Sequence, residues 1–141
     1  MKKDVFVKMK NIQNSDDGRS EVELATRGTL SRKDGVYIIT YEDSEATGWQ
    51  GSTTDITVKD NSFANIIRNG QQFSNIVIEN GKKHFCHYET PFGGCMVGIK
   101  TRAIRNNLTD DGGNLYMKYT VSVNTSLTTE DEILLDVTPR G

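Results

Sequence analysis

A group of two histidines and a cysteine, His84, Cys86 and His87, is the stretch most suggestive of chemistry. A Cys–His pair acts as a nucleophile only when the side chains lie within hydrogen-bonding reach and oxyanion donors face them. In an extended strand, His84 and Cys86 point to one side and His87 to the other. The sequence also lacks a nucleophile elbow. We therefore predict no catalytic residue and interpret both histidines as wall or surface residues; haem ligation or catalysis by His84 or His87 is an alternative.

Six residues are candidates for binding a small ligand. Glu42 and Arg68 could pair inside the fold or orient the head group of an amphipathic molecule; alternatively, Arg68 anchors the following turn and Glu42 is solvated. Trp49, the only tryptophan, lies in a polar connection at residues 43–51, where it either packs or contacts a ligand or partner. The other three candidates are residues of the predicted wall with polar groups: Tyr41, Tyr88 and Thr101.

No pattern of metal ligands is evident. The acidic clusters coincide with turns or strand starts, lack the spacing of a calcium loop and are interpreted as solvated: Asp16-Asp17, Asp110-Asp111 and Glu130-Asp131-Glu132. Cys86 and Cys95, the only cysteines, fit neither a Cys-x-x-Cys redox motif nor a zinc site. We predict two free thiols, no metal and no cofactor.

The composition limits the class of protein. At 141 residues the chain is expected to form one domain. A formal net charge of −2 lacks the electrostatic footprint of a nucleic-acid binder. The two lysines after Met1 are followed by no apolar run of a signal peptide, and no stretch is apolar enough to span a membrane. We expect a soluble cytoplasmic protein, monomer or homodimer, that binds neither nucleic acid nor membrane.

About ten short strands separated by turn residues must position these side chains. Asn80-Gly81 predicts a two-residue hairpin that places Phe73 opposite Tyr88. The next turn leads into a strand with Cys95, Val97, Ile99, Thr101 and Ala103 on one face. Residues 63–68 also fit a short helix, but the neighbouring pattern favours a strand.

Ten consecutive antiparallel strands leave two edges exposed unless the sheet closes. An up-and-down barrel of about 8–10 strands closes it, with an interior that is filled or holds one small ligand. A β-sandwich is the alternative, but short connections favour the barrel.

The chain resembles the YwiB-like bacterial family of unknown function, which has a calycin-like (lipocalin-like) β-barrel. The motifs occur in the family's order over nearly the whole chain: Thr26-Arg27-Gly28, Val36-Tyr37, Tyr41-Glu42, Arg68-Asn69-Gly70, Gly81, Tyr88, Phe92-Gly93 and Thr101. The resemblance implies a barrel, with residues 63–68 as a strand. It implies no enzymatic activity.

Three functional hypotheses follow. The favoured one is a non-catalytic barrel that binds a small apolar or amphipathic molecule, with Tyr41, Arg68, Tyr88 and Thr101 lining the interior. The second is an interaction or structural module with a solid core, acting through Trp49 in the residue 43–51 loop or through an edge strand. The third is a haem-binding protein or enzyme that uses a histidine.

Overall fold

Ten strands make up the regular structure in the computed structural model. The structure describes residues 1–43, 51–70, 73–90, 93–123 and 126–140; the side chains at 88–90, 93, 126 and 127 are not described. None of the described segments forms a helix long and apolar enough to cross a membrane. The strands are β1 (Lys2–Ser15), β2 (Gly18–Lys33), β3 (Val36–Glu42), β4 (Thr53–Lys59), β5 (Phe63–Asn69), β6 (Phe73–Glu79), β7 (Lys83–Thr90), β8 (Gly93–Thr109), β9 (Gly112–Val123) and β10 (Ser126–Pro139).

The strands form one closed antiparallel barrel in which each strand pairs with its neighbours in sequence. The first strand closes the ring on the last, with Val5 opposite Pro139 and Gln13 opposite Asp131. This confirms the prediction of an all-β, up-and-down, calycin-like barrel. Closure pairs both edges that an open sheet would leave exposed.

Alternating burial explains why these segments are strands. In β4, Thr54, Ile56 and Val58 are buried, whereas the residues between them are half-buried. The segment that also fitted a helix follows the same rule as β5, with Ala64 and Ile66 buried. Side chains that alternate between two faces require an extended backbone. The prediction of a strand at residues 63–68 is thus confirmed.

The Asn80-Gly81 turn differs from the prediction by one residue. Ser74, not Phe73, lies opposite Tyr88. A two-residue type I′ turn needs positive φ at both central residues. Here Gly81 has a φ of 76°, while Asn80 is not left-handed, and the Lys82 amide donates to the Glu79 carbonyl at 3.2 Å. The loop therefore contains one more residue than predicted.

A second deviation lies in β8, where the register shifts between Thr101 and Ala103. The shift is a β-bulge, which places two residues opposite one and reverses the facing of those that follow. Ile104 and Leu108 are consequently buried, while Ala103 is only half-buried. The prediction that Ala103 shares the face of Cys95 was wrong.

The glycine of the Thr26-Arg27-Gly28 motif has a structural role. It lies in β2 between Val5 of β1 and Tyr41 of β3. A Cβ atom at this position would collide with the carbonyl oxygen of Thr40. Glycine therefore permits the close approach of backbones that the curvature of the barrel requires here.

The barrel interior is graded from apolar to polar. One end is filled by fully buried aliphatic side chains, among them Leu30, Ile39, Ile56, Val58 and Ile78. Buried polar residues lie towards the other end: Asp43, Ser52, Thr54, Ser74 and Asp131. The barrel is thus a solid core at one end and a polar interior at the other.

The turn between β8 and β9 is tied to the apolar end by Asp110. Its Oδ1 atom accepts a hydrogen bond from the Tyr37 hydroxyl at 2.9 Å and lies 2.9 Å from Nε of Arg32. Tyr37 and Asp110 are 73 residues apart, so this contact joins distant hairpins.

Replacing Tyr37 with Phe is expected to lower the free energy of unfolding by about 1 kcal/mol, the usual contribution of one such hydrogen bond. Amide exchange at residues 109–112 should accelerate, because the turn loses its contact with β3. Tyr116→Phe is the matched control: it removes a 3.0 Å bond to Glu132 of an adjacent strand, and should leave exchange in that turn unchanged. Equal exchange in both variants would count against the role of Tyr37.

Candidate functional site

A cavity of about 340 Å³ lies in the polar part of the barrel. Its rim lies where the long strands β1, β2, β9 and β10 meet their hairpin turns, at Gln13, Ser20, Val123 and Thr128. Apolar residues form much of the lining: Met9, Val22, Ile76, Val97, Val121 and Ile133. Polar residues form the rest, notably Asn11, Gln13, Arg68, Tyr119, Thr129 and Asp131.

Asp131 is the buried acid of this cavity, with only 7% of its surface exposed. Its neighbours in the ladder are Gln13 of β1 and Tyr119 of β9. The Gln13 amide nitrogen lies 3.4 Å from both carboxylate oxygens. Burial raises the pKa of Asp131, although hydrogen bonds from Thr129, Gln13 and Tyr119 and the charge of Arg68 act in the opposite direction.

Arg68 is the cation of the cavity. It projects from β5, where it lies opposite Thr54 of β4 and Ser74 of β6. It is half-buried, and it interacts with the Tyr41 hydroxyl, whose pKa is raised to about 12 mainly by burial. Tyr41 therefore stays protonated at neutral pH and can serve as a neutral donor and acceptor. Arg68 thus acts on both Tyr41 and Asp131 inside the barrel.

Asp43 extends the polar cluster away from the cavity lining. Its Oδ2 atom accepts a hydrogen bond from the Thr54 hydroxyl, and its charge acts on Tyr41. Its other carboxylate oxygen is buried and has no hydrogen-bond partner in the part of the chain that the structure describes. The interior thus contains a connected group of polar side chains on neighbouring strands.

The six predicted ligand-binding residues fall into three groups. Arg68 lines the cavity and Tyr41 contacts Arg68. Thr101 lies opposite Tyr119, and its buried hydroxyl oxygen has no hydrogen-bond partner among the described residues. Glu42 is exposed on the outside of the barrel, so it does not meet Arg68; the adjacent Asp43 faces inward instead. The Tyr88 side chain and Trp49 lie outside the part of the chain that the structure describes.

Sequence reasoning missed Asp131, which it interpreted as part of a solvated acidic turn. That interpretation was wrong, because Asp131 lies within β10 and is buried. A signal was present: Asp131 precedes Ile133, Leu135 and Val137 at intervals of two, on the same strand face. The alternation along β10 therefore predicts that the Asp131 side chain faces the core.

The histidine–cysteine group is divided between the two faces of β7, as the alternation predicts. His84 Nε2 lies 3.0 Å from Oε1 of Glu79, and the His87 ring stacks on Phe73 at a centroid distance of 6.3 Å. Cys86 is a buried free thiol that accepts the Val77 amide at 3.3 Å. Burial raises the pKa of the Cys86 thiol, which favours the protonated, non-nucleophilic form.

Across the described ranges, no three potential metal-ligating side chains come close enough together to hold an ion. The chemical groups of the cavity are suited to contacts with an amphipathic molecule. The described lining combines an apolar wall with one cation, one acid and several neutral hydrogen-bonding groups.

Comparisons with known proteins place the chain in context. A family model described as "Domain of unknown function (DUF1934)" matches residues 7–135. The crystal structure of the ywiB protein from Bacillus subtilis is similar, with a TM-score of 0.80 over 96% of this chain and 92% of that chain, at 17% identity. At this identity the likeness concerns the fold alone. No match to a curated protein was found. The resemblance inferred from the sequence motifs is confirmed.

Proposed function

Because the chain belongs to the DUF1934 family, whose description leaves its function open, we propose from its geometry that it is a non-catalytic barrel that binds a small amphipathic molecule. The cavity at the polar end carries the proposal. Its 340 Å³ is at the small end of the range of 300–1,000 Å³ that is usual for ligand sites. The proposal includes a cytoplasmic location, where Cys86 and Cys95 would stay reduced.

The cost of the buried polar groups supports a role in binding. Burying Asp131 and part of Arg68 consumes solvation energy that an aliphatic filling would not. The apolar end shows that this barrel can fill its interior with aliphatic residues. Groups with perturbed pKa values in a cavity are characteristic of functional sites.

The two kinds of lining define how a ligand would lie. Met9, Val97 and Val121 offer an apolar surface, and Arg68 and Asp131 offer hydrogen bonds to a head group. Such a small number of placed polar groups within an apolar lining is typical of specific small-molecule sites.

Filling the cavity is expected to abolish binding. Val121→Phe adds a ring to the lining and should lower affinity at least tenfold. Leu134→Phe adds the same ring on the outer face of β10, where Leu134 is 37% exposed, and should leave binding intact. Native mass spectrometry of protein purified from its natural host measures this: a stoichiometric extra mass should be carried by the wild type and by Leu134→Phe, and be lost in Val121→Phe.

Circular dichroism of both variants controls for folding. A bare wild-type protein, or equal occupancy in a folded Val121→Phe variant, would contradict the proposed function.

A further inference from the structure

The charges around the cavity restrict what a ligand can be. Of the described residues that line it, only Arg68 and Asp131 carry a formal charge, and these are opposite. They are close enough for the positive charge of Arg68 to act on Asp131. The described part of the lining is therefore neutral in sum, while it offers a cationic donor and an anionic acceptor.

We infer that the ligand of this cavity has a head group without net charge that presents a hydrogen-bond acceptor to Arg68 and a donor to Asp131. A primary carboxamide is the simplest group of this kind. The inference rests on the proposed function and specifies its ligand.

The cost of removing charged groups from water is the physical reason for this preference. A carboxylate head group would pair with Arg68 but leave Asp131 as an uncompensated charge in a site where it is 7% exposed. An ammonium head group would pair with Asp131 but place a second positive charge beside the half-buried Arg68. A carboxamide makes charge-assisted hydrogen bonds to both and adds no charge.

The other lining groups suit such a head group. Asn11 and Gln13 are uncharged and can both donate and accept, and Gln13 already lies beside the Asp131 carboxylate. Asp43, the other buried acid of the interior, is not among the lining residues, and its charge acts on Tyr41.

The test uses three probes with the same six-carbon chain: hexanamide, hexanoate and hexylamine. Calorimetric titration of the wild-type protein at pH 7 should give at least tenfold tighter binding of hexanamide than of either charged probe. Tightest binding of hexanoate or hexylamine, equal binding of all three, or binding of none overturns the inference.

Two variants reverse the preference. Asp131→Asn leaves Arg68 as the only charge of the lining and should favour hexanoate. Arg68→Met leaves Asp131 and should favour hexylamine. An unchanged order of probes in either folded variant overturns the inference, while the ligand mass and its loss in Val121→Phe still decide the proposed function separately.

Discussion

Replacing Arg68 with Met is expected to lower the free energy of unfolding by about 1–2 kcal/mol at pH 7, because it removes a positive charge that acts on the buried Asp131 carboxylate. Arg68 acts on Asp131 through its charge and is partly exposed, so the loss is smaller than the about 3–5 kcal/mol that breaking a buried ion pair costs. Urea unfolding followed by circular dichroism measures the loss.

The loss should depend on pH in a defined direction. The pKa of Asp131 is already raised in the folded state, and removing Arg68 raises it further. A carboxyl group whose pKa is higher in the folded than in the unfolded state destabilises the fold once the pH exceeds its unfolded value of about 3.9. The penalty grows from the unfolded pKa up to the folded pKa and is constant above it. Arg68→Met should therefore approach wild-type stability as the pH falls towards about 4.

The double variant Arg68→Met/Asp131→Asn is the control, since it removes both charges. It should recover most of the loss at pH 7, and its stability should vary less with pH. A deficit that is independent of pH, or that persists in full in the double variant, would contradict an electrostatic origin.

Replacing Ile39 with Ala should cost about 2–5 kcal/mol, the range for truncating a large aliphatic residue in a packed core. Ile39 is fully buried between Leu30 of β2 and Ile56 of β4. The adjacent Ile38 points outward and is half-buried, so Ile38→Ala removes the same atoms at much smaller cost. Chemical unfolding of both variants measures the difference.

A binding measurement distinguishes a change in the apolar core from a change in the cavity. Because Ile39 lies outside the cavity lining, Ile39→Ala should keep its affinity for a bound molecule at temperatures where it is folded. Equal losses of stability in the two variants would show that the apolar end is not a packed core.

The strand pattern could be predicted because each strand carries its own signal. Leu115, Met117 and Tyr119 alternate with polar residues, and this alone assigns β9 and its inner face. Arg68 could be singled out as a charge in an apolar run. The strand register at Asn80-Gly81 could not be predicted. The backbone conformation of Asn80 depends on how β6 and β7 pair rather than on the Asn-Gly dipeptide alone.

The cavity itself had no local signal in the sequence. It arises from the position of Asp131 relative to Arg68, which are 63 positions apart and meet only when the barrel closes. The bulge after Thr101 also changes which residues of β8 face inward, and no turn residue marks it. Predicting these features requires the long-range register, which short-range periodicity does not contain.

Closure of the ring by the first and last strands has a consequence for biosynthesis. Two residues of β1 and two of β10 lie side by side in the cavity wall, although β1 is synthesised well before β10: Met9, Gln13, Asp131 and Ile133. Until β10 has left the ribosome, β1 and β9 are open edges and the wall between them is missing. A nascent chain can thus fold its hairpins in order, but the cavity is completed only in a single late event, when the last strand of this domain has been synthesised and pairs with the first.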